Sequence, residues 1–258
     1  MKIGVFDSGL GGLTILKQLL KSLPKYDYVY YGDNARVPYG NRSPQVIYGF
    51  TKEAVDLLVN KNCSLIILAC NTATATSLRK IQQDYLPNKY PGIRVLGVIR
   101  PIVELAAERG GRRIGVIGTK STVATNAFVS ELRKMTPNSI VFQQACPLLV
   151  PYIEDSMRNQ KILDLLLKEY LDPLKKAKID SLILGCTHYE IIKEIISAKL
   201  GKDVVLYSEG EAVAIKLRDY LLRHPEIENS LGKDAKVEYN FSDPDSDYKR
   251  LIKLFLDA

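Results

Sequence analysis

Two apolar runs of this chain end on a cysteine and continue at once into small hydroxyl or amide residues. They are Ser64-Leu65-Ile66-Ile67-Leu68-Ala69-Cys70-Asn71-Thr72 and Ser181-Leu182-Ile183-Leu184-Gly185-Cys186-Thr187-His188. Each reads as a buried strand running into a helix, so each thiol is expected at a strand's carboxyl end, where α/β sheets bind ligands. A helix N-terminus beside a thiol favours thiolate through the positive end of the helix dipole. Two such thiols in one chain suit a two-base reaction, in which one group removes a proton and the other supplies one.

Other polar residues fall at similar places. Asp7-Ser8-Gly9-Leu10-Gly11-Gly12 follows the first apolar run and opens a helix. A glycine-rich turn there brings backbone amides close to an anion. The dinucleotide spacing Gly-X-Gly-X-X-Gly is not matched, and the leading Asp7 would repel a phosphate. Asp7 is instead expected as a carboxylate donor or proton shuttle, with Ser8 holding a small ligand. Asp33-Asn34-Ala35-Arg36-Val37-Pro38-Tyr39-Gly40 is a polar loop with a Pro-Tyr-Gly turn after the second strand, on the ligand-binding edge. Thr187-His188-Tyr189-Glu190 matches a capping box, in which Thr187 and Glu190 would satisfy exposed helix amides. His188, two residues from Cys186, is placed to polarise or protonate that thiol. His224, before Pro225 in a polar stretch, reads as a surface histidine, and Cys63 and Cys146 read as buried apolar side chains. No cysteine or histidine spacing forms a recognisable metal site.

The elements that must position these residues repeat. Cys70 and Cys186 are 116 residues apart. Lys2-Ile3-Gly4-Val5-Phe6-Asp7-Ser8 is echoed 111 residues later by Arg113-Ile114-Gly115-Val116-Ile117-Gly118-Thr119. The runs 27–31 and 139–143 are 112 apart, and Val95-Leu96 and Val205-Leu206 are 110 apart. The reading is α/β: two similar, pseudo-symmetric, doubly wound units with mainly parallel strands. Apolar spacing of three and four residues predicts helices over 10–23, 51–59 and 162–171, and a closing helix over 248–256. Crossings near Gly97–Pro101 and near Ser208 divide the chain into a first domain, 1–97 plus 208–258, and a second, 98–207. A length of 258 residues suits two such cores.

Composition narrows the partners. Lys and Arg number 36 against 29 Asp and Glu, a formal charge of +7 that suits acidic small molecules. The basic residues are dispersed. Their densest cluster, Lys175-Lys176-Ala177-Lys178, ends a predicted helix, where cations complement the dipole. With no basic arm, zinc-finger spacing or RNA-recognition aromatics, nucleic-acid binding is not expected. The cysteine spacings imply no disulfide framework and fit a reducing cytoplasm. The N-terminus lacks a secretory apolar region, and no run approaches the roughly 20 residues of a membrane span.

The strings Phe6-Asp7-Ser8-Gly9, Gly32-Asp33 with Ala35-Arg36-Val37-Pro38-Tyr39-Gly40, Ala69-Cys70-Asn71-Thr72-Ala73 and Gly185-Cys186-Thr187-His188-Tyr189 together resemble the glutamate racemases of the aspartate/glutamate racemase superfamily. The resemblance runs from residue 2 to about residue 210. It implies two α/β domains with the active site in the cleft between them, and cofactor-independent interconversion of L- and D-glutamate. By the same resemblance Cys70 and Cys186 are catalytic, Cys70 acting on the D-enantiomer and Cys186 on the L-enantiomer. Asp7, Glu154 and His188 support them, and Asp7, Ser8, Tyr39, Gly40, Asn71, Thr72, Thr187 and His188 bind substrate. A cytoplasmic homodimer that supplies D-glutamate for peptidoglycan, without cofactor or metal, completes what the resemblance implies.

Two positions depart from the family pattern. Gly97-Val98-Ile99-Arg100-Pro101 carries Arg where Glu is common, and Glu190 stands where many members have Pro. Three rival readings remain open to experiment: an aspartate racemase, a cysteine hydrolase built on Cys186 and His188, which leaves Cys70 without a role, and a noncatalytic amino-acid sensor.

Overall fold

A computed structural model describes residues 1–155 and 159–244, together with Lys253, Phe255 and Leu256. Two parallel sheets organise it. The first joins β1 (Lys2–Asp7), β2 (Tyr28–Gly32), β3 (Cys63–Leu68), β4 (Arg94–Gly97) and β9 (Val237–Phe241) in the order β4-β3-β1-β2-β9. The second joins β5 (Arg113–Gly118), β6 (Ile140–Ala145), β7 (Ser181–Gly185) and β8 (Val205–Tyr207) in the order β6-β5-β7-β8. Replacing β1 to β4 by β5 to β8 converts the order 4-3-1-2 into 8-7-5-6, so the sequence echoes correspond to one repeated topology.

Both sheets are covered on two faces, which is why their central strands are apolar at nearly every position. In the first sheet Val5, Tyr30, Leu65 and Ile67 face one cluster and Phe6, Val29, Ile66 and Leu68 the other. In the second, Ile114, Val116 and Ile183 face one cluster and Ile117, Leu182 and Leu184 the other. One apolar cluster is continuous across both sheets. It joins Leu13 and Leu16 of the helix Leu13–Ser22, Val213 and Leu217 of the helix Glu209–Arg223, and Leu149, Ile153 and Tyr189 from the second half.

Helix boundaries differ from the apolar periodicity where local chemistry overrides it. The first helix begins at Leu13, not residue 10, because Gly9 to Gly12 form the turn. The helix expected over 51–59 spans Pro44–Asn60: the Ser43 side chain accepts from the Val46 N–H and Pro44 holds the first turn. The one expected over 162–171 spans Gln160–Lys176, capped by Asn159 and ending on Lys175 and Lys176. Of the helix expected over 248–256, most residues lie outside those described, and Lys253, Phe255 and Leu256 are helical. β9 was not foreseen; it pairs in parallel with β2.

Phe128 is buried in a cluster packed on the second sheet, with its ring against Gly185, one residue before Cys186. Phe128→Ala is expected to cost about 3–5 kcal/mol, read as a lowered urea midpoint.

Candidate active site

Cys70 follows β3 and occupies the N-cap of the helix Asn71–Lys80, where its sulfur accepts from the Ala73 N–H at 3.5 Å. Its other polar partner is Ser8 Oγ at 3.3 Å, from the turn after β1. Cys186 follows β7 in the equivalent place, but it precedes a 3-10 turn, Thr187–Ile192, and not an α-helix. The expected capping box does not form. The Thr187 hydroxyl reaches across the molecule to Asp7 Oδ1 at 3.3 Å, and Glu190 pairs with Lys193 at 3.2 Å.

Both sulfurs line one small cavity, about 10 Å³ in volume, with Ser8, Pro38, Tyr39, Gly40, Asn71, Thr72, Thr119, Val150, Thr187 and His188. Nine residues singled out from the sequence therefore converge, drawn from the ends of both sheets. Two others stand behind them: Glu154 accepts from His188 Nε2 at 2.5 Å, and Asp7 accepts from the Gly9 N–H at 2.9 Å as well as from Thr187. Asp7 makes no hydrogen bond to Cys70. A larger cavity of about 710 Å³, rimmed by Arg79, Arg100 and Glu131, contains neither cysteine. Arg100 there pairs with Glu104 at 2.9 Å and Glu131 at 3.6 Å, outside the cysteine cavity.

Thr119 is a polar lining residue that motif reading missed. Its hydroxyl bonds Thr72 Oγ1 at 2.8 Å across the two halves and Thr122 at 3.0 Å. The repeat held the signal, since Thr119 is the counterpart of Ser8. Gly40 is required beside it: a Cβ on Gly40 would fall 2.4 Å from Thr119 Cβ. The Tyr39 hydroxyl donates to Asp33 Oδ2, which also accepts from Arg36 Nε at 2.7 Å, so the loop is anchored from behind.

Charge is arranged unequally around the two sulfurs. Burial pushes the Cys70 thiol up to about 12, with Asp7 adding to the rise; the Ser8 hydroxyl and the Ala73 N–H oppose it and lose. At this thiol desolvation thus outweighs the pull toward thiolate that a helix N-terminus exerts. His188 lies with Nδ1 3.9 Å from Cys186 Sγ. Burial alone would lower its pKa, but the hydrogen bonds to Cys186 and Glu154 outweigh burial and hold it well above 6.5. A protonated ring here places a positive charge beside the Cys186 sulfur. Burial raises Asp7, against the His188 charge and the Gly9 and Gly12 N–H groups. Among the described residues no group of three His, Cys, Asp or Glu side chains is placed to hold a metal ion, and no helix is long and apolar enough to cross a membrane.

The sequence profile of the Asp/Glu/Hydantoin racemase family matches residues 3–213. The chain belongs to this family. The racemase is 38% identical over 256 residues to the glutamate racemase of Geobacter metallireducens, covering 98% of this chain and 92% of that one. Its fold is similar to the crystal structure of Francisella tularensis glutamate racemase in complex with D-glutamate, with a TM-score of 0.88, 35% identity, and coverage of 100% of this chain and 94% of that one. The Aquifex pyrophilus glutamate racemase is similar at a TM-score of 0.81 and 37% identity, over 100% and 95% of the two chains.

The pairing of His188 with Glu154 stabilises the racemase fully below pH 6.5 and is lost as pH rises through the raised value of the folded state. In nitrogen-15 NMR the His188 ring is expected to remain charged above pH 6.5. Glu154→Gln should bring its titration down; a parent ring already neutral at pH 6.5 contradicts the assignment.

Proposed function

We propose that this racemase interconverts L- and D-glutamate without a cofactor, with Cys70 and Cys186 as paired acid and base. One observation carries the proposal: two cysteines from topologically equivalent strand ends line a single cavity. The glutamate racemases among its relatives support the choice of substrate.

Inversion of a stereocentre requires a base on one face of the α-carbon and an acid on the other. With L-glutamate, the Cys186 sulfur takes the α-proton while the Cys70 S–H delivers its own to the opposite face. The enzyme is left with Cys186 as thiol and Cys70 as thiolate, and the protonation states exchange before the next L-molecule. D-glutamate runs the steps backwards. The unequal charge fits this division: His188 offers Cys186 a positive neighbour, and burial keeps Cys70 protonated at neutral pH.

The α-carbanion needs fixed donors aimed at the α-carboxylate, because charge develops there as the proton leaves. Ser8, Thr72, Thr187 and the missed Thr119 provide hydroxyls, Asn71 a carboxamide, and the start of the helix Asn71–Lys80 free backbone N–H groups. Asp7, behind Thr187, is assigned to the substrate ammonium. That cation also lowers the cost of ionising either thiol in so dry a site. Tyr39 and Gly40 close the wall against Thr119.

A cavity of about 10 Å³ accommodates roughly one water molecule, so glutamate enters only when the lobes separate. We assign the lobes to 1–97 with 208–258 and to 98–207, with the crossings near Gly97–Pro101 and Ser208 as the hinge. The cytoplasmic homodimer and the delivery of D-glutamate to peptidoglycan rest on the family resemblance.

Chiral separation after incubation without cofactor is expected to show racemisation of glutamate and little of aspartate; failure with both overturns the proposal. Cys70→Ala and Cys186→Ala should each lower turnover by at least about 10²–10⁴-fold, the usual share of one acid or base, while glutamate binding persists. In deuterated water, product from either enantiomer should carry solvent deuterium at the α-carbon before recovered substrate does. Early label in recovered substrate at the rate of turnover would indicate one shared base.

A further inference from the structure

Glu209 opens the helix Glu209–Arg223, on the return crossing from the second half, and its side chain is buried with 4% of the residue exposed. Its Oε2 accepts from Asn71 Nδ2 at 2.8 Å. The remaining oxygens of both groups, Glu209 Oε1 and Asn71 Oδ1, have no hydrogen-bond partner among the described residues. Asn71 lines the cysteine cavity and Glu209 does not.

We propose that Glu209 is a positioning residue, which fixes the Asn71 carboxamide at the cavity wall and thereby couples the return helix to the substrate. The inference rests on the racemase reading for its kinetic consequence but not for its structural one. The bond to Glu209 uses one hydrogen of Asn71 Nδ2 and fixes the direction of the second, and an oriented donor needs no rearrangement as charge develops.

The surroundings require Glu209 to do this as a neutral acid. Its electrostatic neighbours are carboxylates, Asp7 on β1 and Glu190 on the turn after β7. Lys193 is engaged by Glu190 and Ser208. Lys17 and Lys21 on the helix Leu13–Ser22 and Glu211 rim the adjacent surface pocket, and none of them bonds Glu209. An ionised carboxylate buried without a cation is strongly disfavoured. Burial accordingly raises Glu209 well above 4.5, with Asn71 opposing and Glu190 and Asp7 adding to the rise.

A raised carboxyl binds more protons in the folded state than in the unfolded state, so its presence costs stability progressively as pH rises above 4.5. Glu209→Gln keeps the shape and the acceptor but does not titrate. Calorimetry of the full chain should show the Gln variant with a higher Tm than the parent at pH 8, the difference shrinking toward zero near pH 4.5. A difference independent of pH overturns the neutral acid, whatever the enzyme's activity. In racemisation assays Glu209→Ala should raise KM for glutamate about tenfold or more, and Glu209→Gln should return it to within about threefold of the parent. An Ala variant with parental KM, or a Gln variant as impaired as Ala, overturns the positioning role. A parent that does not racemise glutamate would instead refute the substrate assignment and leave the calorimetric result standing.

Discussion

The structure depends on how closely the turn after β1 approaches the turn after β7. A Cβ on Gly11 would fall 2.3 Å from Thr187 Oγ1 and 2.6 Å from His188 Nδ1, so only a hydrogen fits between the two halves. That contact sets the thickness of the site. It lets Thr187 reach Asp7 and brings the ends of two separate sheets to one cavity. The apolar cluster shared by both sheets holds the approach from behind, through the packing of the helix Leu13–Ser22 beside Glu209–Arg223. A side chain at Gly11 would separate the halves beside Thr187 and His188, which line the cysteine cavity.

Burial then decides the electrostatics. Removing water from the cavity penalises every charge within it, and it overrules the helix N-terminus at Cys70. His188 escapes this rule because Glu154 and Cys186 together more than offset its desolvation. The repeat supplies two matched backbones, and different second residues give each sulfur its own environment: Ser8 beside Cys70, and His188 beside Cys186. Topological symmetry with chemical asymmetry is the plan of the site.

Much of this was legible in the sequence because the site is built from strand ends, whose apolar runs and following polar residues are contiguous. Cys70-Asn71-Thr72 and Cys186-Thr187-His188 are such strings, and the family resemblance implied that they would meet. Thr119 went unnoticed because a single threonine after a strand resembles any helix cap, which it also is for Thr122; only its register with Ser8 distinguishes it. Thr187 was misread as a cap because local spacing does not reveal a carboxylate 180 residues away at Asp7. β9 has the alternation Val237-Glu238-Tyr239-Asn240-Phe241, proper to a half-covered edge strand, but it is short and follows a turn-rich stretch. The charge state of Cys70 was invisible for a different reason, since burial is a property of the assembled halves and not of any local string.

The unlike environments of the two sulfurs have a thermodynamic limit. Enantiomers have equal free energies in water, so the equilibrium ratio is one however differently Cys70 and Cys186 are treated. In a racemase a histidine beside one sulfur and a serine beside the other can therefore change kcat/KM only by the same factor in both directions, while kcat and KM separately can differ between them. Whatever advantage the His188–Glu154 pair gives to one direction is a redistribution between saturation and turnover. Net conversion toward either hand requires that this hand be removed as it forms.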